Sequence, residues 1–306
     1  MNINDSILTN EEKIIFTLRS IYDRCGYALY KMSKFEPYDL YVRNKDFLIS
    51  ENVITFTDVN GKLMALKPDV TLSIIKNTKD MPGQVQKLYY NENVYRVAGA
   101  GRQYKEIMQV GLECLGDIDA SCICEVVSLA LKSLRAISPR CVLDLSHSGI
   151  VSSVVEELPD SVKAEILRCV GEKNRHELLL VCEQNEVDGR LLSALIDCYG
   201  KPNEVLAKLH ALPLPESGKT AVQELAQLIE ALGSDDGLRI DLSILSNTKY
   251  YNGITFKGFV DGVPESVLSG GRYDKLLRRM KKNSGAIGFA VYLDALERFA
   301  IEEVTV

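Results

Sequence analysis

A block of amphipathic helices at residues 149–233 interrupts a chain that is otherwise rich in strand patterns. Strands divided in this way, with helices at both ends of the chain, are typical of an α+β fold with a mostly antiparallel sheet. We therefore expect one core, formed by residues 1–148 and 234–306, and one all-helical insertion, 149–233. Within the block, glycine and proline separate helical patterns at 159–171, 173–186, 189–199, 202–211 and 218–232.

Local patterns predict the elements of the core. Thr9 and Glu12 have the spacing of a capping box, and Gly26 is predicted to cap the C-terminus, so the first helix is expected between Thr9 and Gly26. A hairpin is predicted over 53–66 around the Asn60-Gly61 turn. Further strands are predicted at 86–90, 93–96, 104–115, 141–145, 238–243, 249–260 and 266–269. Further helices are predicted at 71–77, 119–137, 272–281 and 291–302.

Charge argues against a nucleic-acid partner. The chain of 306 residues has a formal net charge of −6 and a pI of about 5.3. Proteins that hold tRNA usually present a basic surface, because neutralising phosphates supplies most of the affinity. The one compact basic run, 275–282, is interpreted as a solvated helix end.

The sequence has no feature of a membrane anchor, a leader or a metal site. No apolar run approaches the roughly 18 residues that span a bilayer, and no basic region precedes an apolar stretch at the N-terminus. Of eight cysteines only Cys122 and Cys124 form a close pair, and there are three histidines. We therefore expect no zinc site, no other metal and no cofactor. Reduced thiols and a cytoplasmic location are expected.

The predicted strand 104–115 has one apolar and one polar face. Gln109, Gly111 and Glu113 alternate along the polar face. An amide and a carboxylate together suit an ammonium or imidazole group, and the glycine is expected to leave room for something to approach the sheet. The same pattern also fits an ordinary half-buried strand with its polar side in water, which alone is the better explanation.

Three further segments carry weaker signals. Asp69, in the segment 66–71, follows a strand and opens a helix, so it serves either as a helix cap or as a carboxylate at the end of the sheet. The turn 270–272 is Gly-Gly-Arg, a weak signal for anion binding. Residues 250–253 are, in isolation, a strand leading into a turn. What distinguishes the four segments is that they occur together in this order.

In this order the segments resemble the motifs of class II aminoacyl-tRNA synthetases of the histidine type. That family has a first motif ending in Glu, then L-R-P-E-x-T, Y/F-R…G-R…Q-x-G-x-E, a helical insertion, R-G-L-D-Y-Y-x-G, G-G-R-Y-D and G-F-A-x-G-x-E-R. The resemblance covers essentially the whole chain, and implies a six-stranded antiparallel sheet flanked by helices and a dimer through the first motif. The matching residues are Phe35-Glu36, Leu66–Thr71, Tyr95-Arg96, Gly101-Arg102, Gln109, Gly111, Glu113, Tyr250, Tyr251, Gly253, Gly270–Asp274 and Gly288–Ala290.

The resemblance implies a histidine pocket that is largely kept and an ATP site that is degraded. Ala295 stands where the family has an ATP-binding arginine, and Ser246 replaces an arginine of the adenylation step. The loss of two guanidinium groups is not conservative. We also expect the anticodon-binding domain of the family to be missing. The pocket residues implied by the family are Asp69, Thr71, Arg96, Gln109, Glu113, Tyr250, Tyr251, Gly271 and Tyr273.

This combination is similar to the regulatory-subunit family of ATP phosphoribosyltransferase. The likeness implies a non-catalytic subunit in the first step of histidine biosynthesis. It would form a homodimer core, assemble with a short catalytic subunit, activate it and confer feedback inhibition by L-histidine. Three alternatives remain open: a divergent amino-acid-activating enzyme, a tRNA-binding paralogue and a protein whose pocket is vestigial.

Overall fold

The strands pair into one large and one small sheet. The computed structural model describes residues 7–45, 48, 53–80, 83–98, 103–245 and 250–296. The strands are β1 (Ala28–Leu29), β2 (Phe35–Pro37), β3 (Thr55–Thr57), β4 (Leu63–Leu66), β5 (Val85–Ala98), β6 (Gln103–Gly116), β7 (Cys141–His147), β8 (Tyr199–Gly200), β9 (Leu238–Asp241), β10 (Ile254–Val260), β11 (Leu268–Arg272) and β12 (Gly285–Tyr292). The large sheet has the order β1-β5-β6-β12-β11-β10-β7-β9-β8, and the small sheet has the order β2-β4-β3.

The α+β arrangement is confirmed, but the sheet is larger than six strands. Its central strands, β5-β6-β12-β11-β10-β7, all pair antiparallel, as expected. Three edge strands extend it: β1 runs parallel to β5, β9 runs parallel to β7, and β8 pairs with β9. The two outermost strands have only two residues each, which is too short for an alternating pattern to predict them.

Eleven α-helices are present in the described ranges. The first begins at the predicted capping box: the Glu12 amide donates to Thr9 Oγ1 at 3.2 Å, and the Thr9 amide donates to the Glu12 carboxylate at 2.8 Å. No helix in this part of the chain is long and apolar enough to cross a membrane. The helices are α1 (Asn10–Arg24), α2 (Asp39–Arg43), α3 (Val70–Asn77), α4 (Ala120–Ile137), α5 (Ser148–Val155), α6 (Asp160–Gly171), α7 (Arg175–Gln184), α8 (Gly189–Ile196), α9 (Pro202–Ala211), α10 (Glu216–Leu232) and α11 (Asp274–Arg279).

The predicted C-terminal helix over 291–302 is wrong at its start. Strand β12 continues to Tyr292, and a short 3₁₀ turn follows at Asp294–Leu296. Pairing with β6 and β11 on both sides holds this segment extended. Residues 297–306 lie outside the described part.

The apolar face of the sheet and the helical block share one core. Val110 and Leu112 of β6 pack with α1 and α4, and the same cluster continues through Ile150 and Leu225 into the block. The block is not entirely helical, because β8 lies within it and pairs with β9. The division into a core (1–148 and 234–306) and an insertion (149–233) stays a prediction.

Gly111 does not leave open space above the sheet. A Cβ at this position would overlap the Phe289 carbonyl oxygen and lie 2.5 Å from Tyr90 Oη. The room that the missing side chain leaves is taken by Tyr90 of the neighbouring strand and by the backbone of β12, so the protein itself makes the close approach. The glycine is instead required for β5, β6 and β12 to pack closely.

The substitution Gly111→Ala should therefore destabilise the fold. Overpacking of a closed site costs about 1–3 kcal/mol of unfolding free energy. Gly171→Ala is the matched control, because its Cβ would meet only the Ser243 carbonyl oxygen at an ordinary 3.7 Å, near the end of a helix. Urea denaturation should show a loss for the first variant, and no loss or a gain of up to about 1 kcal/mol for the second. Equal stability of the two variants would contradict the packing described.

Candidate ligand-binding site

A cavity of about 380 Å³ lies on the polar face of the large sheet. The fold brings residues from position 48 to position 292 to its walls, although the segments that carry them are far apart in the chain. Eight of the nine residues predicted for the site line it: Asp69, Thr71, Arg96, Gln109, Glu113, Tyr250, Tyr251 and Tyr273.

The ninth predicted residue, Gly271, does not line the cavity. A Cβ there would lie 2.8 Å from the ring of Tyr251 and 2.8 Å from the Ile254 carbonyl oxygen. The missing side chain gives Tyr251 its place on the cavity wall. Gly271 thus contributes to the shape of the site through a neighbour, not through the cavity surface.

Glu113 lies on the cavity wall, and the residue is only 2 % exposed. Thr71 Oγ1 donates to one of its oxygens at 2.6 Å, and Tyr273 Oη donates to the other at 2.5 Å. Gly288, opposite on β12, makes room for the group, because a Cβ there would overlap the carboxylate. No cation within the described residues lies at ion-pair distance from it.

This environment changes the proton affinity of Glu113. Burial raises the pKa to about 8, the two hydroxyl donors lower it, and the nearby charge of Asp69 raises it. The group therefore binds a proton near neutral pH when no cation is present. A ligand carrying a positive charge or an N–H donor would compensate for the buried negative charge.

Asp69 is both a helix cap and a wall of the cavity. Its Oδ1 accepts from the Leu72 amide at 2.8 Å at the start of α3, so the two explanations from sequence are compatible. Burial raises its pKa, and the charge of Arg96 lowers it. Arg96 Nε in turn donates to the Pro68 carbonyl oxygen at 3.1 Å, which ties β5 to the segment that leads into α3.

Tyrosine rings enclose the acidic end of the cavity. The centroids of Tyr250 and Tyr251 are 4.6 Å apart, and those of Tyr250 and Tyr273 are 5.6 Å apart. Burial raises the pKa of each hydroxyl, so all three rings are neutral. Aromatic faces beside carboxylates favour a cationic or imidazole group through cation–π and stacking contacts.

Sequence reasoning missed several lining residues. Tyr90 could have been placed from strand alternation only with the register known, since it pairs opposite Gly111 on β6. Val70 and the segment Gly288–Ala290 belong to matched motifs but were not predicted to line the site, and no motif match marked the rest. The additional lining residues are Leu48, Val70, Tyr90, Lys257, Ser266, Ser269, Gly288, Phe289, Ala290 and Tyr292.

Of the two positions where the family has an arginine and this chain does not, one lies within the described residues. Ala295 lies in the 3₁₀ turn and packs against the apolar core, so a methyl group occupies that position. Ser246 and the predicted Gly101-Arg102 pair lie outside the described residues.

Glu113 should make the stability of the empty protein depend on pH. Its folded pKa is about 8 against an ordinary 4.5, so the folded state binds a proton that the unfolded state has lost. The contribution of Glu113 to the free energy of unfolding is fully present below pH 4.5 and is lost as the pH rises through 8. Urea denaturation of Glu113→Gln should show a smaller decline over pH 5–8 than the wild type, by up to about 1 kcal/mol per pH unit.

Glu165→Gln, at an exposed glutamate of α6, is the control for this measurement. The stability of this variant should follow the wild-type curve at every pH. Both curves include a decline at lower pH from Asp144, because burial raises the pKa of that residue to about 6. Parallel curves for Glu113→Gln and the wild type would show that Glu113 is ionised in the fold.

Comparisons with known proteins identify the family of the chain. A sequence model of the histidyl-tRNA synthetase family matches residues 4–296. An ATP phosphoribosyltransferase regulatory subunit of Caldanaerobacter subterraneus subsp. tengcongensis is 30% identical over 288 residues, which cover 90% of this chain and 75% of the relative.

Two solved structures share the fold. One is an ATP phosphoribosyltransferase regulatory subunit/histidyl-tRNA synthetase from Bacillus halodurans, with a TM-score of 0.81 and 25% identity over 94% of this chain and 78% of the other. The second is in the ATP phosphoribosyl transferase (HisG:HisZ) complex from Thermotoga maritima, with a TM-score of 0.75 over 94% and 98% of the two chains; at 19% identity it supports the fold alone. The chain belongs to the histidyl-tRNA synthetase family and, within it, to the family of ATP phosphoribosyltransferase regulatory subunits.

Proposed function

We propose that this chain is the non-catalytic regulatory subunit of an ATP phosphoribosyltransferase. It activates a short catalytic subunit and makes that subunit sensitive to feedback inhibition by L-histidine. The observation that carries the proposal is a cavity with the acidic, tyrosine-lined walls of an amino-acid pocket, in a chain where Ala295 takes the place of an arginine that holds ATP. The name of the Caldanaerobacter relative supports the same function.

The acidic end of the cavity suits histidine in particular. The imidazole ring has two nitrogens that donate when it is protonated, and Glu113 offers a buried acceptor already oriented by two hydroxyl groups. Asp69 supplies a second carboxylate for an α-ammonium group. Flat aromatic walls match a flat ring. A ligand with no positive charge would leave Glu113 protonated, so its hydrogen bond to that group would lack the assistance of a charge.

The same cavity is poorly equipped for adenylation. Activating an amino acid with ATP requires positive groups around the phosphates, and such charge stabilisation is usually the largest catalytic term. Among the described lining residues only Arg96 and Lys257 are cationic, and Arg96 Nε is engaged with a backbone carbonyl oxygen. Histidine would therefore bind here as an effector that is released unchanged.

Regulation by histidine requires a second state of the assembly. A ligand changes activity only when it binds two states with different affinity. The cavity walls come from the start of α3, from β6 and from the segment that joins Tyr251 to β10. A cationic ligand that draws these segments together would favour one arrangement of them, and the catalytic subunit would respond to that arrangement.

The proposal includes a homodimer core and a cytoplasmic location. Phe35 and Phe56 lie on one face of the small sheet, with ring centroids 5.4 Å apart, yet they are 51% and 38% exposed. Phe35 belongs to the segment that resembles the dimer motif, so a second copy of the chain is the proposed partner of this face. The eight cysteines are free thiols, which is consistent with a reducing compartment.

An activity assay tests the function directly. The short catalytic subunit of the same organism would be assayed for phosphoribosyl-ATP formation alone, with this chain, and with this chain plus L-histidine. We expect activation by the chain and inhibition by histidine. With Glu113→Gln, activation should persist, while the histidine concentration for half inhibition should rise about tenfold or more, because a charge-assisted hydrogen bond is lost.

Glu165→Gln is again the control and should behave as the wild type. Activity that is indifferent to the chain would overturn the assigned partner. Histidine-dependent exchange of pyrophosphate into ATP by the isolated chain would overturn the non-catalytic role.

The homodimer can be tested at the small sheet. Phe35→Asp places a charge in the proposed interface and should weaken dimerisation by about 30-fold or more, as expected when a buried aromatic contact is removed. Sedimentation velocity over a concentration series measures the effect. Leu180→Asp is the control, since Leu180 is similarly exposed, at 43%, on α7 in the helical block. Equal dimerisation of the wild type and both variants would exclude this face as the interface.

A further inference from the structure

Lys257 is a cation on the cavity wall that no family motif predicted. It lies on β10, directly opposite Ser269 on β11 and on the polar face of the sheet. The cavity thus has a basic end, in addition to the acidic end formed by Asp69 and Glu113. A site with both charges is complementary to a dipolar ligand.

The ammonium group of Lys257 has no counter-ion in the part of the chain that the structure describes. No carboxylate in the described ranges is within ion-pair distance of it. The residue directly opposite Lys257 on β7 is Asp144. The charge of Asp144 interacts with Asp241, Arg239 and Lys173 instead. An unpaired cation on a half-buried wall favours an anionic ligand group, which would restore the hydrogen bonds and the charge balance.

Polar groups continue from Lys257 across the sheet. Ser269 Oγ and Tyr292 Oη are 2.6 Å apart, and Tyr292 lies opposite Gln109 on β6. Gln109 is 3% exposed, and its Nε2 donor has no hydrogen-bond partner in the described structure. A buried amide donor without an acceptor is costly, so this strip offers one cation and several donors to an acceptor-rich group.

The separation of the two ends fits a small molecule. The Glu113 carboxylate lies over Gly288 of β12, and β10 is two strands away from β12. Two strand spacings amount to roughly 10 Å between backbones, and the lysine side chain covers part of that distance. The opposite charges are therefore too far apart to pair directly, but a ligand of amino-acid length can contact both.

We propose that Lys257 is the specificity-determining residue that receives the anionic group of the ligand, with the donors of Ser269 and Gln109 beside it. The inference deepens the proposed histidine site and rests on it. The ligand class is a dipolar molecule with an imidazole or ammonium group at the acidic end and a carboxylate or phosphate at the basic end. Histidine supplies the carboxylate, and histidinol phosphate supplies the phosphate.

Calorimetry with the full-length protein distinguishes these ligands. The probes are L-histidine, L-histidinol, which lacks the anionic group, and L-histidinol phosphate. We expect the wild type to bind at least one of the two anionic ligands about tenfold or more tightly than histidinol. Whichever binds more tightly identifies the source of the anion. The affinity of Lys257→Met for that ligand should fall to its affinity for histidinol, while the affinity for histidinol itself stays nearly constant.

The loss of discrimination is a result that a merely structural effect would not produce, because misfolding would weaken all three ligands equally. Lys132→Met, at an exposed lysine of α4 on the other side of the sheet, should leave all affinities unchanged. If the wild type binds histidine and Lys257→Met binds it equally well, the inference fails and the proposed function stands. If the wild type binds none of the three, the histidine site fails and the inference with it.

Discussion

The buried carboxyl group of Glu113 is the constraint on which the rest of the site depends. It occupies a place that exists only because Gly288 on the adjacent strand has no side chain, and it is held by hydroxyls from Thr71 and Tyr273. These donors come from the start of α3 and the end of β11. One carboxyl group therefore requires four segments to meet: β6, β12, the start of α3 and the end of β11. In the proposed function, a cationic ligand compensates for the cost of burying this group.

The same strand links the site to the stability of the fold. Residues of β6 alternate between an apolar face, which packs under α1 and α4, and a polar face that forms the floor of the cavity. Because side chains alternate with a period of two, a slip of one residue would exchange the faces. The hydrophobic core thus sets the register that places Gln109 and Glu113 in the cavity, so the site and the core cannot vary independently.

The chain separates recognition from chemistry. The acidic and aromatic walls that suit a cationic amino acid are present, whereas a methyl group of Ala295 packs where the family has a phosphate-binding arginine. Among the described lining residues only Arg96 and Lys257 are cationic, which is little positive charge for stabilising a reacting triphosphate. A binding site that performs no reaction can still act on an assembly, provided that its two states differ in affinity for the ligand.

The amino-acid sequence by itself determined which residues of one strand share a face, where the capping box starts the first helix, and the order of the motifs around the helical block. Local spacing is sufficient for these features. The tertiary structure decided that Tyr90 fills the gap above Gly111 and that the missing side chain of Gly271 leaves room for the ring of Tyr251. It also decided that short edge strands extend the sheet. It also placed Lys257 in the cavity. Such features depend on the register between strands that are distant in sequence, and no local pattern encodes that register.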